Sequence, residues 1–175
     1  MLLLDIVVVV VGWAMVASYV WSTKHHFSAD HFPLGAKLVS AAVIGCALAL
    51  SWTTLTAEQP VWFTLAGLAL QLLSAGLFWW AIAASRAASL RFAFDPSKPA
   101  GILTDGPYRM VRHPFYTSYL LFWTGWAVVS ASPSSAAIIA FFAFAYAAAA
   151  IEEEQDFASS ALAEDYGRYR AVTGR

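Results

Sequence analysis

Five apolar runs separated by short polar stretches set the outline of this chain. They cover residues 2–21, 34–55, 60–84, 115–131 and 134–151. Each is close to the roughly 17–25 residues that an α-helix needs to cross a bilayer. The last two runs meet at Ser132-Pro133-Ser134, which predicts a tight helical hairpin. After the fifth run, Leu162, Tyr166 and Tyr169 recur at spacings of four and three, predicting a short amphipathic helix with one apolar-aromatic face. The expected fold is therefore all-α. Residues 1–175 are expected to form a single integral membrane domain, a polytopic bundle of five transmembrane helices with a cytoplasmic C-terminal amphipathic helix.

Charge placement orients this bundle. The chain is 60% hydrophobic and 12% charged, against about 25% charged residues in ordinary globular domains, which excludes a soluble domain. Its ten basic residues are Lys24, Lys37, Arg86, Arg91, Lys98, Arg109, Arg112, Arg168, Arg170 and Arg175. All fall in the first-to-second loop, the third-to-fourth loop or the C-terminal tail. Those segments share one side of a five-span bundle, and the positive-inside rule makes it cytoplasmic. The N-terminus, the Glu58 loop and the Ser132 hairpin then face out. The first run has no basic region ahead of it and no small-residue cleavage site before Lys24, so it reads as a retained helix. Cys46 lies within a span, which leaves no internal disulfide. The net charge of −1 indicates no nucleic-acid partner. His25, His26 and His31 read as surface-loop residues, and no metal is expected.

Two polar clusters carry the candidate chemistry. Residues 85–113 form the longest non-apolar stretch. Its start, SRAASLRFAF, can continue the third helix. Asp95-Pro96-Ser97-Lys98-Pro99 then breaks it, and Asp105-Gly106-Pro107 signals a further turn. The segment ends in GPYRMVRHPFY, residues 106–116. Pro114 suits the first turn of the fourth helix, whose free amides and positive dipole end join Arg109 and Arg112 as a candidate anion site. Tyr116, Tyr119 and Trp123 share one helical face that could cover a flat heterocycle. Trp79 and Trp80 read as interfacial belt residues. The second cluster, Glu152-Glu153-Glu154, ends the fifth run on the same face. Three carboxylates there oppose the helix dipole. Either the helix runs on through Gln155, Asp156 and Phe157, or the carboxylates meet cations such as Arg109 and Arg112.

GPYRMVRHPFY, an apolar hairpin, EEEQDF and a YGRY tail together resemble the isoprenylcysteine carboxyl methyltransferase and phospholipid methyltransferase superfamily, as a small bacterial-type member. The resemblance covers about residues 103–169, and the first three runs match it only in hydropathy. It implies an integral membrane methyltransferase, placed in the bacterial inner membrane, that uses S-adenosylmethionine and releases S-adenosylhomocysteine. The implied acceptor is a lipophilic small molecule or lipid, methylated on oxygen, sulfur or nitrogen. The implied cofactor pocket spans 103–169 and faces the cytosol. It would use Tyr108, Arg109, His113, Tyr116, Glu153 and Glu154 for binding, with Arg112 and Glu154 as catalytic candidates. Many members carry an arginine one turn before the glutamate pair. This chain has Ala147–Ala150 there, which makes a prenylcysteine carboxylate a less expected acceptor. Two other readings keep the hydropathy: a reductase of the related sterol reductase fold using NADPH, whose members are much longer, and a non-enzymatic membrane scaffold.

Overall fold

A computed structural model describes residues 2–25, 27–28, 34–86, 90–91 and 101–175. It contains six α-helices: α1 Leu2–His25, α2 Leu34–Thr56, α3 Val61–Ser85, α4 Pro114–Ser130, α5 Pro133–Ala158 and α6 Ala163–Val172. A 3-10 turn, Gly106–Arg109, precedes α4. Two short extended pieces, β1 Phe27–Ser28 and β2 Leu90–Arg91, pair in parallel. That pairing ties the chain after α1 to the chain after α3, so the two segments lie at one end of the bundle. It also corrects the reading of SRAASLRFAF. The third helix stops at Ser85, and residues 90–91 are extended rather than helical. His26, His31 and residues 92–100 lie outside the described residues. His25 ends α1, exposed and stacked on Trp21.

Among the described residues, four helices are long and apolar enough to cross a membrane. They are Leu2–His25, Lys37–Thr56, Val61–Ser85 and Pro133–Ala158. Their surfaces invert the pattern of a soluble bundle. Trp52, Trp62 and Phe144 are at least 71% exposed, whereas Ser22, Thr54, Thr64, Gln71, Ser74 and Ser118 are buried. In lipid apolar side chains need no covering, while polar ones need partners inside the bundle; the Gln71 amide has none among the described residues. Ser74 Oγ donates to the Ser118 carbonyl at 2.7 Å and lies 3.2 Å from the Tyr19 hydroxyl. Trp126 Nε1 donates to Thr54 Oγ1 at 3.3 Å, tying α4 to α2.

The 17-residue α4 lies at the centre. It touches α1, α2, α3 and α5, and ten of its residues are buried. Its contact with α3 is the most extensive, and glycines make it possible. A Cβ on Gly125 would lie 2.7 Å from the carbonyl oxygen of Gly67, closer than real contacts allow. The bare backbones therefore touch at this crossing, as small residues permit in membrane bundles. The hairpin to α5 turns at Ala131, a left-handed residue with φ of 43°, and Ser132 leads into Pro133 at the first turn of α5.

Gly125→Leu is expected to force α3 and α4 apart and destabilise the bundle by about 1–3 kcal/mol. Thermal unfolding in detergent checks this. An unchanged midpoint would contradict the close-contact geometry.

Candidate functional site

The 3-10 turn is held by local constraints. Gly106 has φ of +60°, a conformation that disfavours any side chain, and a Cβ there would lie 2.7 Å from Ala84 Cβ. Glycine thus lets the turn sit against the end of α3. The chain then passes through Val111, which bridges to Gly174. Arg112 N–H donates to the Gly174 carbonyl at 2.8 Å, and Gly174 N–H donates to the Met110 carbonyl at 3.1 Å. His113 caps α4 with φ of −122°, as expected for a residue before proline.

On the facing side, α5 continues to Ala158 and carries the glutamates past the apolar run. Both ways of relieving the dipole conflict occur together: the helix runs on, and the carboxylates meet cations. Glu154 is the focus. Its side chain is 5% exposed and that of Arg112 is 9% exposed. Arg112 donates to Glu154 Oε1 from Nε at 3.3 Å and from Nη2 at 3.2 Å. Arg175 donates from Nε to Oε1 at 3.1 Å and from Nη2 to Oε2 at 2.7 Å. His113 Nε2 lies 3.2 Å from Glu154 Oε1, while its Nδ1 lies 3.2 Å from Glu153 Oε2. The imidazole therefore bridges the two glutamates. Glu153 is 31% exposed and accepts the Tyr116 hydroxyl at 2.7 Å. Two charges withdrawn from water are tolerated only when paired and fully hydrogen-bonded. Here Arg112 also gives Nη1 to the Thr173 carbonyl at 2.6 Å.

The tail closes the cluster. Tyr169 donates to the Tyr108 carbonyl at 2.7 Å, docking α6 on the buried 3-10 turn. Tyr166 is buried and stacks on Phe157 at 4.5 Å with 6° between the rings. Its hydroxyl is buried without a hydrogen-bond partner among the described residues. Burial pushes the Tyr166 phenol up to about 12, and the neighbouring Glu154 adds to the rise. The carboxylate of Glu154 likewise raises the pKa of Arg175.

The structure brings together most of the expected residues. Arg112, His113, Tyr116, Glu153 and Glu154 share one hydrogen-bonded network, and Tyr108 supports it through its backbone. Arg109 does not join. Its side chain is 74% exposed and pairs with Asp105 at 3.5 Å. It lines instead an open cleft of about 400 Å³ with Thr104, Arg168, Tyr169 and Thr173. The aromatic face on α4 also serves another purpose than the one expected. Trp123 is fully buried and stacks on Phe142 at 4.2 Å, and Tyr119 packs on Tyr19 and Tyr146. Only Tyr116 of that face reaches the glutamates. Arg175 and Thr173 were not singled out by sequence. The tail offered only the general signal of basic residues near acidic ones. No cluster able to hold a metal occurs among the described residues.

The sequence profile of the phospholipid methyltransferase family matches residues 62–165, more than half of the chain. The chain belongs to that family. The match begins in α3, so this phospholipid methyltransferase family member shares more with its relatives than the 103–169 segment. It takes in the glycine-mediated α3–α4 crossing, the 3-10 turn and both glutamates. Comparison with curated proteins and with solved structures gives no match.

Glu154→Ala is expected to strand Arg112 in a buried position and cost about 3 kcal/mol or more. Arg109→Ala, at an exposed pair, is expected to change stability by less than about 0.5 kcal/mol. Unfolding midpoints in detergent compare the two. Equal effects would contradict the division drawn between these arginines.

Proposed function

We propose that this protein is an integral membrane methyltransferase that takes its methyl group from S-adenosylmethionine and passes it to a lipophilic acceptor, with the Arg112–His113–Glu153–Glu154 network as the donor site. One observation carries the reading: a buried, hydrogen-bonded cluster of opposite charges at the end of an otherwise apolar bundle, in a chain of the phospholipid methyltransferase family. Ionisable groups at membrane depth are functional candidates by default. The donor set fits the cofactor. Carboxylates suit an ammonium or ribose hydroxyls through charge-assisted bonds, and the unpartnered Tyr166 hydroxyl offers a further polar contact.

In this reading α4 is a fifth span, its 17 residues sufficient because the other helices surround it. The basic ends of the helices and the tail face the cytoplasm in a bacterial inner membrane, as the positive-inside rule requires. The cofactor arrives from the cytosol, and the acceptor arrives sideways between helices. When bound, S-adenosylmethionine supplies an electrophilic methyl group. Alignment of the two reactants in a dry site supplies much of the rate.

The protein's own groups divide the remaining work. Both oxygens of Glu154 are engaged by Arg112, His113 and Arg175, so this carboxylate fixes the site and takes up no proton. Among the described residues, Glu153 meets Tyr116 and His113, and it is partly open. It is the group able to accept a proton from an acceptor amine, which must be neutral to react. Arg112 is committed to Glu154 and to the tail, leaving it unavailable to an acceptor carboxylate. These commitments favour an amine over a carboxylate as the methylated group.

Membranes containing the protein, incubated with methyl-labelled cofactor, are expected to accumulate label on an amine-bearing lipid or lipophile, read by mass spectrometry. Glu153→Gln is expected to lower kcat by about 100-fold. Label in no lipophilic species would contradict the reading, and full activity of Glu153→Gln would remove the base.

A further inference from the structure

The guanidinium of Arg175 occupies the Glu154 carboxylate in a bidentate arrangement, yet its own side chain is 51% exposed. Arg112, which gives both of its bonds with Glu154 to Oε1, is 9% exposed and anchored by the Thr173 carbonyl. The two arginines are therefore unequal partners. One is built into the protein, and the other reaches in from the edge. The backbone that delivers Arg175 is secured separately, by the two hydrogen bonds between Gly174 and the 110–112 segment. Its side chain can swing out without undoing that attachment.

Charge supports such an exchange. Glu153 and Glu154 carry two negative charges, and Arg112 and Arg175 carry two positive ones. An incoming ammonium restores the one positive charge that leaves Glu154 with Arg175. The helix that leads into residues 173–175, α6, carries the Tyr166 hydroxyl, which is buried and without a hydrogen-bond partner among the described residues. A buried hydroxyl with no hydrogen bond costs stability, which is explained if it is meant for a ligand rather than for the fold.

We propose that Arg175 is an exchangeable occupant of a cation site on Glu154, displaced by a ligand bearing an ammonium group, and that the buried Tyr166 hydroxyl gives a further hydrogen bond to that same ligand. The inference rests on the donor-site reading above, because the ammonium-bearing ligand is then the amino-acid end of the cofactor. Residues 173–175 thus form a strap that keeps the buried carboxylate neutralised between turnovers. No step of this exchange makes or breaks a covalent bond.

Titration calorimetry with S-adenosylhomocysteine tests the exchange on wild type, Arg175→Ala and Tyr166→Phe. Arg175→Ala removes a competitor and is expected to bind about 5-fold tighter, the scale of a partly exposed ion pair. Tyr166→Phe is expected to bind about 5-fold weaker while unfolding at the same or a higher temperature than wild type. If wild type binds and Arg175→Ala binds equally or more weakly, the exchange is overturned and the donor-site reading stands. Tyr166→Phe that binds as wild type removes the hydroxyl's role. If neither wild type nor Arg175→Ala binds, the donor-site reading falls and the exchange falls with it.

Discussion

Glu154 places a carboxylate, 5% exposed, at the end of an apolar helix. Such a charge must be met by cations or the helix end cannot be buried there. Meeting it requires three separate parts of the chain to converge. Arg112 and His113 come from the entrance to α4, Arg175 comes from beyond α6, and Glu154 itself comes from α5. This ion cluster accordingly joins the start of α4, the end of α5 and the tail at one point. The geometry of the proposed donor site is a by-product of satisfying one buried charge.

The bundle gives that cluster a rigid base. Helix α4 is held on all sides, and its glycine contact with α3 leaves no slack at the crossing. The rings of Tyr19, Tyr119, Tyr146 and Tyr116 run in contact from the core to the edge of the glutamates. Displacing Tyr116 therefore means disturbing packing well inside the bundle. Of the side chains that hold Glu153 and Glu154, Tyr116 is carried by α4 itself, while Arg112, His113 and Arg175 come from the non-helical segments that lead into α4 and follow α6.

Much of this was legible in the residues because the physics is local. The five apolar runs coincide with α1–α5, four of which are long and apolar enough to cross a membrane, and Pro114 and Pro133 sit at the starts of α4 and α5 as proline should. The pairing of Arg112 with the glutamates follows from both lying at one end of the bundle. Other features were hidden for equally physical reasons. Arg109 and Arg112 look alike in sequence, but the 3-10 turn sends one to solvent and the other inward. Tyr119 and Trp123 share a face with Tyr116, yet that face spans both the core and the site, a distinction that depends on how α4 is surrounded. Arg175 enters through a backbone bridge between Val111 and Gly174, a long-range pairing with no sequence signature.

The family, the apolar helices and the charge cluster converge on methyl transfer at a membrane surface. The donor site is the central claim, because the acceptor preference and the strap both depend on it. A structure of the protein determined with S-adenosylhomocysteine tests it most directly. The account predicts the ligand's amino-acid end at Glu154, beside His113 and Tyr166, with the Arg175 side chain turned away. A ligand seated elsewhere, such as in the cleft beside Arg109, with the Arg175–Glu154 pair intact, would contradict it.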